Sequence, residues 1–153
     1  MTIISGFIAL IGRALLSALF IFAGFDKAGD IAGTGAYLTS VGLPPNFAWP
    51  VAVFEIVAGF FILFGIFTRL TALVLAVFCL LTALMFHNDF DNPVQVGFFF
   101  KNISIAGGFL VLVAYGTIAH SFDSYRARRK TVVVERETVR DPVVVHDDTT
   151  RHV

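Results

Sequence analysis

The chain has 153 residues and no formal net charge, with 57% hydrophobic and only 14% charged residues. Soluble domains contain about 45–50% apolar and about 25% charged residues, so this composition excludes a water-soluble globule. A nucleic-acid partner requires a basic face on a folded domain, and the sequence shows none, so such a partner is also excluded. The composition is that of an integral membrane protein in contact with the lipid bilayer.

The first apolar segment, at about residues 3–25, is long enough to cross a bilayer and carries one charge, Arg13, near its middle. A signal peptide has basic residues before an uncharged core, which this segment lacks, so we predict a retained helix. The connection at residues 26–46 contains several glycines and the pair Pro44-Pro45, which break regular helix. Within it, residues 35–41 are expected to form a short interfacial helix.

Three further apolar segments predict membrane-spanning helices at about residues 47–67, 70–86 and 94–119. Only Thr68 and Arg69 separate the second segment from the third, so these two helices must be antiparallel neighbours. The predicted fold class is all-α integral membrane: a four-helix antiparallel bundle with a short interfacial helix in the first loop and a polar C-terminal tail. We assign residues 1–123 to the bundle and residues 124–153 to a charged tail that is predicted to be disordered.

Basic residues indicate the orientation, because cytoplasmic loops carry an excess of lysine and arginine. Arg69 and the basic cluster within residues 126–130 fall on one side of the membrane, whereas Lys27 is the only basic residue in the two loops opposite. Four spans place both termini on the same side. We therefore predict that both termini are cytoplasmic.

Glu55 lies well inside the second apolar segment, where an ionisable side chain is costly and needs a partner. Arg13, Lys101 and Asn102 are the candidates in the other segments, and we predict that these four residues form a buried polar cluster. Two cations against one carboxylate leave a surplus positive charge, which either favours an anionic or electron-rich ligand or is neutralised by Asp26 from the outer rim. A structural clasp that only fixes helix pairing is the alternative. Candidates at the outer rim are Asp26, Lys27 and His87.

Other features are weaker signals. One imidazole and two carboxylates occupy alternate loop positions, at His87, Asp89 and Asp91. This is a weak signal for metal binding, so we predict a solvated loop and no metal site. Cys79 is interpreted as inert packing. The sequence contains no nucleotide-binding loop and no catalytic motif of its own, and so leaves open whether the protein is an enzyme. Close helix packing is expected at Gly59, Gly65, Gly107 and Gly108.

Four motifs follow one another along the chain: Arg13…Phe20…Gly24-x-x-Lys27, Tyr37-Leu38 followed by Gly42-Leu43-Pro44, Glu55-x-x-x-Gly59…Gly65-x-x-Thr68-Arg69, and Lys101-Asn102…Gly107-Gly108. In this order they resemble the motifs of the DoxX family of small four-helix inner-membrane proteins. The resemblance covers about residues 8–123. It departs from the family at residues 116–118, where Gly-Thr-Ile stands in place of Gly-Pro-Gly.

The resemblance implies a multi-pass protein of a bacterial-type inner membrane. Relatives are associated with the small subunits of thiosulfate:quinone oxidoreductases and with membrane oxidoreductase complexes. The first hypothesis is therefore a membrane subunit of a redox-linked complex, with quinone as the candidate cofactor and the polar cluster as its pocket. The alternative is a non-enzymatic scaffold or assembly factor whose cytoplasmic tail recruits a protein partner. A small-anion transporter is a weaker hypothesis, because four helices make a minimal pore unless a homo-oligomer enlarges it.

Overall fold

The structure, a computed structural model, describes residues 3–115, apart from the side chains of Ile3 and Ser5. These residues form α1 (Ile3–Gly29), α2 (Ile31–Ser40), α3 (Ala48–Phe64), α4 (Thr68–Phe86) and α5 (Pro93–Tyr115), with a short 3₁₀ turn before α3. Within this part of the chain, four stretches are long and apolar enough to cross a bilayer: Gly6–Gly29, Pro45–Phe64, Thr68–Phe86 and Pro93–Tyr115. The prediction of an all-α, four-helix membrane bundle is confirmed.

The helix bounds differ from the predicted ones mainly around the first loop. α1 continues to Gly29, about one turn beyond the expected end at residue 25. α2 begins at Ile31 instead of residue 35, because Asp30 caps it: the Asp30 carboxylate accepts a hydrogen bond from the Gly33 N–H at 2.9 Å. The expected end of the fourth span at residue 119 and the expected disordered tail at residues 124–153 lie outside the described residues.

The turn between α3 and α4 is as short as the sequence predicts. Gly65 adopts a φ of 69° and ends α3, and the N–H of Ile66 donates to the carbonyl oxygen of Phe61 at 2.8 Å. Phe67 follows at a φ of 47°, a conformation that is uncommon for a residue with a side chain. The role that the structure shows for Gly65 is to terminate the helix, and close helix packing at Gly65 stays a prediction.

The bundle is built from two closely packed helix pairs, α1 with α3 and α4 with α5. In the first pair, a Cβ atom added at Gly24 would lie 2.8 Å from the carbonyl oxygen of Ala52, and one added at Gly59 would lie 3.1 Å from that of Ser17. The two backbones therefore approach too closely for a larger residue, as expected for Gly59. Gly107, for which we expected the same role, has no neighbouring atom within 4 Å of an added Cβ.

Aromatic side chains connect the two pairs. The ring of Phe20 on α1 lies edge-on to Phe78 of α4 and Phe109 of α5, at centroid distances of 6.3 and 5.4 Å. Phe54 of α3 also contacts Phe78, at 5.2 Å between centroids. Because bulky rings separate the pairs, helices of different pairs lie farther apart than helices within a pair. The wider seam leaves room for a cavity.

Candidate ligand-binding cavity

A cavity of about 350 Å³ lies in this seam, at the end of the bundle where α1 and α4 finish and α5 begins. Residues of all five helices line it, and most of them are apolar. Ligand pockets typically measure about 300–1,000 Å³ and combine apolar walls with a few polar groups. The polar residues in this wall are Lys27, Thr34, Tyr37, Glu55, Thr82, His87, Lys101 and Asn102.

An ion pair lies in the cavity wall. The Lys27 Nζ donates to Glu55 Oε2 at 2.7 Å, and the two side chains are 31% and 5% exposed. The same ammonium group lies 3.4 Å from the carbonyl oxygen of Ala23, one turn earlier in α1. Helical side chains point toward the N-terminus of their helix. The Lys27 ammonium is therefore placed deeper in the bundle than its position near the end of α1 suggests.

The sequence predicts Arg13 or Lys101 as the partner of Glu55, and the structure places Lys27 there instead. The reason is the register of α1 against α3. Gly59 faces Ser17, so Glu55, one turn earlier in α3, lies beside a later part of α1 than Arg13 does. Along α1, Arg13 is 14 residues from Lys27, or roughly 21 Å at 1.5 Å per residue. Arg13 is buried, at 2% exposure, but it does not line the cavity.

Of the remaining candidate residues, some line the cavity and one does not. Lys101 and Asn102 line the cavity together with Glu55, as does His87 from the predicted rim. Asp26 is exposed and does not line the cavity, although it precedes Lys27 in α1. The structure thus brings most of the predicted polar residues around one cavity, with Lys27 replacing Arg13.

Three contacts with aromatic rings lie near the end of the cavity. Tyr37 of α2 stacks on Phe86 of α4, with ring centroids 4.9 Å apart. On the α5 side, the His87 ring contacts Phe98 at 5.3 Å, and the Lys101 ammonium lies 5.0 Å from the centre of the Phe98 ring. Partial burial raises the pKa of the Tyr37 phenol above its ordinary value.

Apart from Asn102 and His87, sequence reasoning missed the cavity residues that carry no charge. Thr82 lies in an apolar segment, and its hydroxyl donates to the carbonyl oxygen of Cys79 at 2.9 Å. Cys79 is 2% exposed, consistent with its expected packing role, but it also contributes to the cavity wall. The spacing of Phe78, Thr82 and Met85 places them on one face of α4. This spacing is visible in the sequence and could have assigned the three residues to one helix face. It does not show whether that face lines a cavity or packs into the core.

Comparison with known proteins agrees with this architecture. The DoxX family model matches residues 8–88, more than half of the chain, from within α1 to just beyond α4. The chain belongs to the DoxX family. It is 44% identical to the inner membrane protein YqjF of Escherichia coli (strain K12) over 114 residues, which cover 74% of this chain and 88% of YqjF.

A second relative is the inner membrane protein YphA of the same organism. The identity is 38% over 122 residues, covering 74% of this chain and 86% of YphA. No solved structure matches the chain. This DoxX-family protein is therefore a multi-pass protein of the inner membrane, with four membrane-spanning helices within residues 3–115.

Proposed function

We propose that this DoxX-family protein is the membrane subunit of a redox-linked complex and that its cavity binds the head group of a quinone. The observation that carries the proposal is an apolar cavity whose wall contains an ion pair, a lysine and an asparagine. A quinone head group is a flat apolar ring with two carbonyl oxygens that accept hydrogen bonds. Lys101 and Asn102 supply donors for such oxygens, and the apolar walls match the ring.

The size of the cavity supports the same class of ligand. A volume of about 350 Å³ is near the lower end of the range for ligand pockets. It suits a substituted ring but not a long isoprenoid tail. Leu81 and Met85 line the cavity and are also 51% and 37% exposed on the bundle surface. The cavity wall thus extends to the surface that faces lipid, where a tail would be accommodated.

The roles of the chain's own residues follow from this arrangement. When bound, the quinone would supply the electron acceptor, and the electron donor would belong to a partner protein. Lys101 and Asn102 would orient the ring through its oxygens. The Lys27 ammonium, held by Glu55, would place a proton donor in a wall that is otherwise mostly apolar.

We also infer that both termini are cytoplasmic, which places the cavity at the outer end of the bundle. Arg69 lies at the α3–α4 end, whereas Asp26, Asp89 and Asp91 lie at the cavity end. A test uses a Cys79→Ala background with a new cysteine at Asp91 or at Phe67. A membrane-impermeant maleimide should label Asp91→Cys in intact cells and Phe67→Cys only after permeabilisation. The reverse pattern would refute the orientation.

Mass spectrometry of small molecules retained after purification in mild detergent tests the proposed function. Glu55→Gln removes the carboxylate from the cavity, and Asp91→Asn makes the same chemical change at an exposed loop position. We expect a quinone in the wild type and in Asp91→Asn, at similar amounts per mole of protein, and a depleted signal in Glu55→Gln. Bulk lipid alone in all three proteins, with poor yield of Glu55→Gln, would instead favour a structural clasp and the scaffold hypothesis.

A further inference from the structure

We infer that the cavity selects ligands that carry one negative charge and that Lys101 is the residue responsible for this selectivity. The inference rests on the proposed ligand-binding role of the cavity and specifies the chemical class of the ligand. It begins from the charges in the cavity wall, which are the cations Lys27 and Lys101 and the carboxylate Glu55.

These charges do not cancel. Lys27 and Glu55 neutralise each other at 2.7 Å. Within residues 3–115 the structure gives Lys101 no carboxylate within 4 Å; its contact is the ring of Phe98. In the loop before α5, the Asp89 carboxylate accepts a hydrogen bond from the backbone N–H of Asp91 at 3.2 Å, and neither residue forms an ion pair with Lys101. The cavity wall therefore carries one uncompensated positive charge, located on Lys101.

The position of Lys101 directs this charge toward the end of the cavity. Lys101 is eight residues into α5, or about 12 Å along the helix from Pro93. Its ammonium lies over Phe98, one turn toward the N-terminus of α5, and Phe98 in turn contacts His87. Both His87 and Lys101 line the cavity. The Lys101 charge therefore lies at the cavity wall, where the polar group of a ligand would contact it. The Phe98 ring stabilises the ammonium, but less than full hydration by water would.

The apolar surroundings make this charge effective. Lys101 is exposed on the bundle, but it lies in the stretch of α5 that is long and apolar enough to cross the membrane. A charge next to lipid is stabilised by an opposite charge, and Coulombic attraction is stronger there than in water. A small inorganic anion would satisfy the charge but would leave most of the apolar wall uncovered. The best match is an apolar ring or chain that carries one anionic oxygen, such as an enolate, a phenolate or a carboxylate.

Two probes with the same ring system test this inference. 1,4-Naphthoquinone is neutral, whereas 2-hydroxy-1,4-naphthoquinone is an anion at neutral pH. Binding of each would be measured to the full chain in nanodiscs of zwitterionic phosphatidylcholine, with empty nanodiscs as the blank for partition into lipid. We expect the wild type to bind the anionic probe about tenfold more tightly than the neutral one, a difference that one moderate electrostatic contact can produce.

Two substitutions at the same position assign the preference to Lys101. Lys101→Met removes the charge at similar side-chain length and should abolish the preference, whereas Lys101→Arg should retain it. Folding is not expected to suffer, because removing a charge at membrane depth lowers the cost of insertion.

The outcomes separate this inference from the proposed function. Equal affinity of the wild type for both probes, or a preference that persists in Lys101→Met, would overturn charge selection and leave the quinone-site proposal intact. Failure of both probes to bind the wild type would refute both proposals. Loss of the anionic preference in Lys101→Met, seen as equal affinities for the two probes, with the preference retained in Lys101→Arg, supports the inference.

Discussion

Replacement of Gly24 by alanine tests the close contact between α1 and α3. The new Cβ would lie 2.8 Å from the carbonyl oxygen of Ala52 and 2.9 Å from the backbone nitrogen of Ile56. Since both are backbone atoms, the helices must separate, and overpacking of this kind costs about 1–3 kcal/mol. The substitution also gains about 1 kcal/mol in helix propensity, which obscures the effect if the variant is compared only with the wild type.

Gly107→Ala provides the matched control. It brings a similar gain in propensity within α5 but meets no atom within 4 Å. The free energy of unfolding of Gly24→Ala should therefore lie about 1–3 kcal/mol below that of Gly107→Ala. Unfolding in mixed micelles by titration with sodium dodecyl sulfate, followed by circular dichroism, measures this difference. Equal stability of the two variants would show that the backbones of α1 and α3 do not approach closely at Gly24.

Two further predictions concern the ion pair and the cap of α2. Lys27→Met leaves the Glu55 carboxylate buried without its partner and should lower the free energy of unfolding by about 3 kcal/mol. The double variant Lys27→Met/Glu55→Leu should recover most of this loss. Equal losses in the single and the double variant would contradict the pairing. Asp30→Ala removes the hydrogen bond to the Gly33 N–H and should destabilise α2 by about 1 kcal/mol. Hydrogen exchange of the α2 amides should become faster, and unchanged exchange would show that the cap is dispensable.

Hydropathy was sufficient to predict the four spans, because length and apolar composition determine which segments cross a bilayer. It was not sufficient to predict the partner of Glu55. Composition gives the approximate depth of a residue, but not the rotation of its helix or the register against a neighbour. Lys27 shows the difference. Its Cα lies near the end of α1, as the rim assignment implies, but its side chain reaches back one turn to a carboxylate.

The glycines illustrate the same limit. Gly59 and Gly65 both occur in the second apolar segment, and the sequence alone gives them the same role. In the structure, Gly59 faces Ser17 across the helix interface, whereas Gly65 adopts a left-handed conformation that ends α3. Only the point at which the helix stops separates the two roles. That point depends on the backbone of the following turn, where Phe67 is also left-handed.

The division into two helix pairs has a consequence for the order in which the protein forms during synthesis. α1 and α3 can complete their close interface before α4 has left the ribosome, and α4 and α5 can pair afterwards as a second hairpin. The short turn at residues 65–67 joins these two insertion units. The cavity belongs to neither hairpin alone, because its wall combines α1, α2 and α3 with α4 and α5. The cavity is therefore complete only when the second hairpin packs against the first.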